Sequence, residues 1–179
     1  MTTETPLVFL EFEHVLLTDP GHIHQFHVLP LLYRLRIGVD TDLMRPLWLK
    51  LVPCKVRVNL RRLHDEFQPR YVISSDMAGA MNRPRMVDML RRAGLAFVAD
   101  NLHAAWCIEP GEDETRGARI GAWAARWRAG GQPFVVLDND TTGQALARGP
   151  LSRRTVICPH GRGLTVPALD RARAVLRGG

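Results

Sequence analysis

The sequence predicts an α/β fold, a three-layer Rossmann-like structure in which an open, mainly parallel sheet carries helices on both faces. Short apolar runs that do not alternate with polar residues predict strands covered by helices on both sides. Amphipathic patterns with helical spacing lie between these runs. Because strands and helices alternate along the chain, we expect βαβ crossovers that join the strands into one sheet.

Four apolar runs are predicted to be the strands of this sheet. They comprise residues 7–12, 71–74, 134–137 and 154–158. Weaker runs at residues 97–98 and 105–108 are further strand candidates. Pro69 leads into the second strong run and Pro133 into the third, which is typical of the boundary before a strand.

Four helices are predicted from apolar residues that recur at three- or four-residue spacing, and each stripe is expected to face the core. The stripes are Val56, Leu60, Leu63 and Phe67; Met86, Met89, Leu90 and Ala93; Ile120, Trp123, Ala124 and Trp127; and Leu169, Ala172, Arg173 and Leu176. Pro84 precedes the second stripe and Gly94 follows it, in agreement with the usual first and last positions of a helix.

The chain of 179 residues is expected to form a single domain over residues 1–179. Residues 16–53 are less regular because prolines and glycines interrupt their apolar pattern. Since this segment is too long for a plain loop, we expect an insertion or flap at one edge of the sheet. No apolar run approaches the roughly 20 residues of a membrane span, and the N-terminus lacks the features of a signal peptide. We therefore expect a cytoplasmic protein without a membrane partner.

The net charge of +6 comes almost entirely from arginine, since Lys50 and Lys55 are the only lysines among 24 basic residues. The planar guanidinium group suits phosphate, so a phosphorylated small molecule or a nucleic-acid end is one expected partner. The alternative is background composition, because a GC-rich genome also produces abundant arginine and alanine. The arginines are spread over several predicted helices, and charge alone does not decide between the two explanations.

Three cysteines, Cys54, Cys107 and Cys158, form no CxxC pair. An odd number without such spacing argues against a disulfide framework or a zinc cluster and suits a reducing compartment. Because each cysteine lies in or beside an apolar segment, all three are expected to be small buried hydrophobic residues.

Polar side chains follow three predicted strands at the edge where open α/β sheets bind their ligands. They are Glu11 and Glu13 after the first strand, Ser74 and Ser75 after the second, and Asp138, Asn139 and Asp140 after the third. Four carboxylates at one edge repel each other unless a cation neutralises them, and oxygen ligands favour Mg²⁺. Arg116 or Arg119, in the helix before the third strand, is expected to contact a phosphate group.

These segments resemble, in order and surroundings, the four motifs of the haloacid dehalogenase (HAD) superfamily. The four segments are LVFLEFEHVL, RYVISSD, TRGARIGAWAARW and FVVLDND, and the late segment GLTVPALDRARAVL adds to the resemblance. The chain looks most similar to the small HAD-like domains related to RNA-repair phosphatases, over nearly its whole length. The resemblance implies a HAD-like fold and a Mg²⁺-dependent phosphomonoesterase that acts through an acyl-phosphate.

The resemblance also implies roles for the acidic residues. Glu11 stands at the position of the nucleophile, and Glu13 at that of the acid that protonates the leaving group and then activates water. Asp138 stands at the position of a metal ligand in the fourth motif, with Asp140 or Asn139 as its companion. The implied metal ligands are thus Glu11, Glu13, Asp138 and Asp140.

Hydroxyl and guanidinium groups complete the implied site. Ser74 stands at the position of the hydroxyl that binds the transferring phosphoryl group, and its neighbour Ser75 is the alternative. Arg116 stands at the position of the third-motif base, which steadies the nucleophile and the phosphate, and Arg119 is the alternative.

This chain departs from the family at the first motif, where Glu11 and Glu13 replace two aspartates and His14 replaces a small residue or glycine. Each additional methylene moves a carboxylate by about 1 Å, and errors of that size can cost about a hundredfold in rate. Two functions therefore stay open. One is an active phosphohydrolase, and the other is an impaired HAD-like module that binds a phosphorylated ligand, nucleic acid or protein.

Histidines near the first motif are further candidates. His22, His24 and His27 form an HxHxxH segment, whose alternatives are metal ligands, substrate contacts from a flap, and structural or solvent-facing histidines. His14 directly follows Glu13 and is a candidate for acid–base chemistry.

Two other features have competing interpretations. The glycine-rich loop that contains His160 and Arg162 either approaches the site or simply turns the chain after the fourth strand. Trp48 and Trp106 are able to stack on a base, but packing in the core or at an edge of the sheet is the expected role.

Overall fold

Five parallel strands form the sheet of this protein. The structure is a computed structural model, and it describes residues 4–18, 52–109, 111 and 114–178. The strands are β1 (Leu7–Leu10), β2 (Arg70–Ile73), β3 (Leu102–Cys107), β4 (Phe134–Asn139) and β5 (Thr155–Cys158). Their spatial order is β3-β2-β1-β4-β5, and every neighbouring pair is parallel. The first strand in the sequence is therefore the central strand of the sheet.

Six α-helices lie within the described ranges. They are α1 (Cys54–Phe67), α2 (Arg83–Arg92), α3 (Ala96–Asp100), α4 (Arg116–Trp127), α5 (Gly143–Arg148) and α6 (Val166–Arg177), and short 3-10 segments occupy Asp76–Ala80 and Ser152–Arg154. Asn82, Thr115 and Thr165 cap α2, α4 and α6 by accepting a hydrogen bond from a first-turn N–H. These side chains satisfy donors that have no partner inside the helix.

Helices cover both faces of the sheet, because successive residues of a strand point to opposite sides. Leu7 and Phe9 of β1 pack in one apolar cluster with residues of α4 and α5. Val8 and Leu10 belong to the other cluster, which includes residues of α1, α2, α3 and α6. The predicted α/β class with a parallel sheet is confirmed, and the architecture is compatible with a Rossmann-like fold.

Several predicted boundaries are wrong. Residues 97–98 lie in α3 and not in a strand, because a buried apolar pair does not distinguish a strand from a short helix. The first strand ends at Leu10, so Glu11 and Phe12 already lie beyond it. The last strand begins at Thr155, since residue 154 belongs to a 3-10 turn. The weak run at 105–108 does contribute to β3.

The four predicted helical stripes fall on α1, α2, α4 and α6, and most of their apolar residues are buried. Two positions differ from the prediction. Trp127 at the end of α4 is exposed. Arg173 in α6 does not face the core but pairs with Glu66 of α1 at 2.7 Å.

The cysteine prediction holds for one residue of three. Cys158 is buried, Cys107 is half-buried, and Cys54 is exposed at the start of α1. Cys54 is the first residue of α1 and lies on the side of that helix that faces solvent, so apolar neighbours in sequence do not bury it.

The predicted flap at 16–53 lies mostly outside the described residues, as do His22, His24, His27 and Trp48. At its two ends, Leu16, Leu17 and Val52 are buried in the core. Trp106, on the edge strand β3, packs partly buried against the same core, as predicted. Among the helices that the structure describes, none is long and apolar enough to cross a membrane.

Candidate functional site

The register of the sheet brings Glu11, Ser74 and Asp138 to one level at the carboxyl edge. Leu10 of β1 pairs with Ile73 on one side and with Leu137 on the other. The three polar residues directly follow these paired positions. Backbone hydrogen bonds extend the pairing by one residue, from Ser74 N–H to the Leu10 carbonyl and from Glu11 N–H to the Leu137 carbonyl, each at 3.1 Å.

Glu11 is a buried carboxylate with its side-chain oxygens bonded to protein donors. It is 1% exposed. Its Oε1 accepts hydrogen bonds from the backbone N–H of Phe12 at 2.9 Å and of Glu13 at 3.2 Å. Its Oε2 accepts a hydrogen bond from Nη1 of Arg116. Burial raises the pKa of Glu11 to about 7, although Arg116 acts in the opposite direction.

Asp138 is the second buried carboxylate of the site and is fully shielded from solvent. Its Oδ1 accepts hydrogen bonds from the Asn139 backbone N–H at 2.7 Å and from the Thr142 hydroxyl at 2.6 Å. Its Oδ2 lies 3.3 Å from Nη1 of Arg116. The negative charge of Asp138 also contributes to the raised pKa of Glu11.

Arg116 supplies the positive charge between these two carboxylates. It is the first residue of α4, and the side chain of Thr115 caps that helix by accepting from Ala118 N–H at 3.2 Å. Nη1 contacts Glu11, Asp138 and the Thr142 hydroxyl, the last at 3.2 Å. Burial alone would lower the pKa of Arg116, but the neighbouring carboxylates outweigh burial and raise it.

Arg119 stands one helical turn farther along α4 and makes different contacts. Its Nη2 pairs with Asp76 at 3.0 Å, and Nη2 of Arg116 reaches the other oxygen of Asp76 at 3.5 Å. Asp76 therefore joins the two arginines at the outer side of the site. Of the two alternatives for the basic residue, the structure places Arg116 on the carboxylates at the strand ends.

The two serines after β2 are both buried but differ in their partners. The Ser75 side chain forms a hydrogen bond that favours the charged form of Glu11. Ser74 Oγ has no hydrogen-bond partner within the part of the chain that the structure describes. Because buried hydroxyl groups nearly always have a partner, this oxygen is suited to bind a ligand atom.

Asn139 has a structural role after β4. Its Oδ1 accepts from the backbone N–H of Thr141 at 2.8 Å and of Thr142 at 2.9 Å, which is the geometry of an Asx turn. Its Nδ2 donates to the Glu13 carbonyl at 3.1 Å and so links the two motif loops. The amide oxygen of Asn139 is therefore already used by backbone donors.

Asp140 and His14 contact the loop after β5 and not Arg116. Asp140 Oδ2 accepts from the His160 backbone N–H at 3.1 Å. The rings of His14 and His160 lie 3.9 Å apart at 34°. Burial, and then His160, lowers the pKa of His14, while Glu13 and Asp140 act in the opposite direction. The structure thus joins Glu11 and Asp138, whereas Asp140 belongs to a neighbouring histidine cluster.

The glycine-rich loop both turns the chain and approaches the site. Gly161 and Gly163 have positive φ angles of 65° and 64°, and Arg162 N–H closes a turn onto the Pro159 carbonyl at 3.0 Å. His160 of this loop contacts Asp140 and His14 next to the candidate site, while Arg162 is exposed.

Two residues of the site were missed in the sequence. Thr142 bonds both Arg116 and Asp138, and Asp76 pairs with both arginines. The position of Asp76 directly after Ser75 could have indicated its place at the edge of the sheet. Nothing in the spacing distinguished Thr142 from Thr141.

Glu11 and Asp138 supply carboxylate oxygens, which are the type of donor that Mg²⁺ prefers. Proteins often hold this ion with one or two carboxylates, with water and substrate phosphate as the remaining ligands. Glu11 and Asp138 already share one cationic atom, Nη1 of Arg116, so positive charge is accommodated between them. Across the described ranges, no three His, Cys, Asp or Glu side chains are placed to hold a single ion. Binding of Mg²⁺ here would require the Arg116 guanidinium to move.

No family model, curated protein or solved structure matches this chain significantly. The HAD resemblance therefore depends on the order of the four motifs, and HAD membership stays a prediction. One residue from each of the four segments lies at the same edge of the sheet; these residues are Glu11, Ser74, Arg116 and Asp138.

Proposed function

We propose that this edge of the sheet binds the phosphoryl group of a phosphorylated ligand and that the protein is a HAD-like, Mg²⁺-dependent phosphomonoesterase. The observation that carries the proposal is the shared contact of Glu11 and Asp138 with Arg116, beside the hydroxyl of Ser74, which has no hydrogen-bond partner among the described residues. A guanidinium group and a free hydroxyl are suitable donors for phosphate oxygens. Glu11 and Asp138 would hold Mg²⁺, which when bound neutralises charge on the phosphoryl group.

In this proposal Glu11 is the nucleophile. Its carboxylate attacks phosphorus, the bond from phosphorus to the ester oxygen breaks, and Glu13 gives its proton to the departing alkoxide. Glu13 then accepts a proton from water, and the water oxygen attacks phosphorus. The bond between phosphorus and the Glu11 oxygen breaks, which releases inorganic phosphate and the free Glu11 carboxylate. Arg116 and Ser74 orient the phosphoryl oxygens throughout. The backbone N–H groups of Phe12 and Glu13 fix the other oxygen of Glu11.

A second candidate is a module that binds a phosphorylated ligand without turning it over. The observation that favours it is the burial of Glu11, whose Oε1 is turned back onto the backbone. A nucleophile has to reach phosphorus in line with the leaving group, and this rotamer does not present a free oxygen. Such a module would still use Arg116 and Ser74 to bind phosphate.

The groups proposed to bind phosphate also determine the class of ligand. The proposed ligand is a phosphorylated small molecule or a nucleic-acid end, and the net charge of +6 favours association with either. Oligonucleotide affinity that falls steeply with added salt would favour the nucleic-acid end.

The experiment compares hydrolysis of p-nitrophenyl phosphate with Mg²⁺ by the wild type, Glu11→Gln, Asp138→Asn and, as a control, Asp170→Asn. Asp170 is exposed on α6 and pairs with Arg173 at 3.2 Å. Activity that is lost in the first two variants and kept in the control supports the phosphomonoesterase. Orthophosphate binding by calorimetry without hydrolysis supports the second candidate. A protein that neither hydrolyses the ester nor binds orthophosphate contradicts both.

A further inference from the structure

A cavity of about 810 Å³ opens beside Arg116, between α4 and α5. Its volume falls within the range of roughly 300–1,000 Å³ that is typical of small-molecule sites. Uncharged residues form most of its wall: Gly117, Gly121, Ala145, Leu146, Pro150 and Leu151.

The cavity is continuous with the candidate phosphate site. Arg116 and Thr142 line it, and the same two residues contact Asp138. Arg119 and Asp76 also line it, and the buried Nε of Arg119 has no hydrogen-bond partner among the described residues. The two arginines therefore provide guanidinium donors at this end of the cavity, where Asp76 pairs with both, whereas the six residues named above offer an apolar surface.

Two glycines of α4 shape this space. A Cβ atom at Gly117 would lie 3.1 Å from Leu146 Cδ2, so glycine allows α4 and α5 to approach closely there. A Cβ atom at Gly121 would meet no atom within 4 Å, because the cavity lies beside it. Glycine inside a helix is less favourable than alanine, and at Gly121 it leaves the cavity open.

We propose that this cavity binds the organic group of the phosphorylated ligand, and that the ligand is a monoester of an uncharged, largely apolar alcohol such as an aryl or long alkyl alcohol. The inference builds on the proposed function, since it places the phosphoryl group at Arg116. A second phosphate group against the wall formed by Leu146, Pro150 and Leu151 would lose its hydration without gaining a charged partner. The remaining guanidinium in the lining, Arg119, is already paired with Asp76. The wall therefore favours a ligand with one phosphate over a polyphosphate or a polynucleotide.

The experiment measures binding by calorimetry with Mg²⁺, which needs no turnover. The probes are orthophosphate, methylphosphonate and naphthylmethylphosphonate. The variants are Gly121→Leu and Ala145→Leu, each of which places a leucine in the cavity from a different helix. Gly130→Leu is the matched control, because a Cβ atom there also meets nothing within 4 Å but Gly130 lies beyond the end of α4.

The wild type and Gly130→Leu should bind naphthylmethylphosphonate at least about tenfold more tightly than methylphosphonate, since only the former carries an aromatic ring that the cavity can remove from water. Gly121→Leu and Ala145→Leu should reduce this ratio to near one. If orthophosphate binds but the wild type shows no preference, or if both leucine variants keep the preference, the inference is wrong and the proposed function stands. If the wild type binds none of the three probes, the inference is wrong, and the proposed function is wrong as well if p-nitrophenyl phosphate is not hydrolysed either. Should one leucine variant fail to fold, the other decides.

Discussion

Glu11 and Asp138 accept hydrogen bonds from the same nitrogen atom, Nη1 of Arg116. Adjacent parallel strands bring the two carboxylates together, and the start of α4 supplies the one cation that separates them. Two buried negative charges and one positive charge leave the group of three unbalanced. Burial is the main cause of the raised pKa of Glu11; the charge of Arg116 opposes it, and the charge of Asp138 adds to it. The ionisation of Glu11 therefore links ligand binding and stability at this site.

Replacement of Arg116 by glutamine should destabilise the protein strongly. Removing one partner of a buried ion pair leaves an uncompensated charge and typically costs about 3–5 kcal/mol. We expect a loss of about 3 kcal/mol in the free energy of unfolding at pH 8, measured with urea, and a smaller loss at pH 6, where Glu11 is protonated. The control is Arg119→Gln, whose partner Asp76 is exposed, with an expected loss below about 1 kcal/mol. Equal losses in the two variants would contradict the central position of Arg116.

The stability of the metal-free protein should depend on the ionisation of Glu11. Its pKa is raised from the ordinary value of 4.5 to about 7, so the folded state binds a proton that the unfolded state releases between these pH values. The sign follows: this contribution is fully present below pH 4.5 and is lost as the pH rises through 7. Urea titrations in EDTA should show a decrease of up to about 1.4 kcal/mol per pH unit in that window.

Glu11→Gln should remove this pH dependence, because the amide does not ionise, and should be less destabilising at pH 8 than at pH 5. Glu114→Gln, at an exposed position, is the matched control and should keep the wild-type slope. If Glu11→Gln kept the wild-type pH dependence of the free energy of unfolding, a group other than Glu11 would be responsible for it.

The strand ends were the most predictable part of the site. Once residues 7–12, 71–74 and 134–137 are placed in one parallel sheet, Glu11, Ser74 and Asp138 have to meet, because carboxyl ends of parallel strands share an edge. The sequence also indicated that a basic residue near the start of α4 would join them.

Side-chain directions beyond the strand ends were not predictable. Asp140 and Asn139 follow the same strand as Asp138, yet Asp140 turns towards His160 and Asn139 forms an Asx turn. The partner of Asp140 comes from a loop 20 residues away in the sequence, whereas Asn139 bonds the backbone of Thr141 and Thr142 in its own loop. The same limit explains Cys54, since an apolar neighbourhood in sequence does not give the side of the helix that faces solvent.

Gly143 is a further point of sensitivity, because α5 packs tightly against the candidate site there. A Cβ atom at Gly143 would lie 2.4 Å from Ile157 Cδ1 and 3.1 Å from Asp138 Cβ. Gly143→Ala should therefore displace Asp138 or Ile157 and lower the free energy of unfolding by about 1–3 kcal/mol. Gly121→Ala, with no atom within 4 Å, should instead raise it by up to about 1 kcal/mol. Thermal and urea unfolding measure both changes. Equal changes in the free energy of unfolding of the two variants would contradict this prediction.

Shortening both first-motif glutamates should raise turnover if the reaction is the proposed one. Glu11 Oε1 turns back to the N–H groups of Phe12 and Glu13, and an aspartate carboxylate would lie about 1 Å nearer the backbone. Errors of that size change rates by about a hundredfold, so Glu11→Asp combined with Glu13→Asp should increase kcat/KM for p-nitrophenyl phosphate at least tenfold. Glu114→Asp, the same change at an exposed position, should leave it unaltered. An unchanged rate in the double variant, with orthophosphate still bound, would show that more than side-chain length limits the reaction and would favour the binding module.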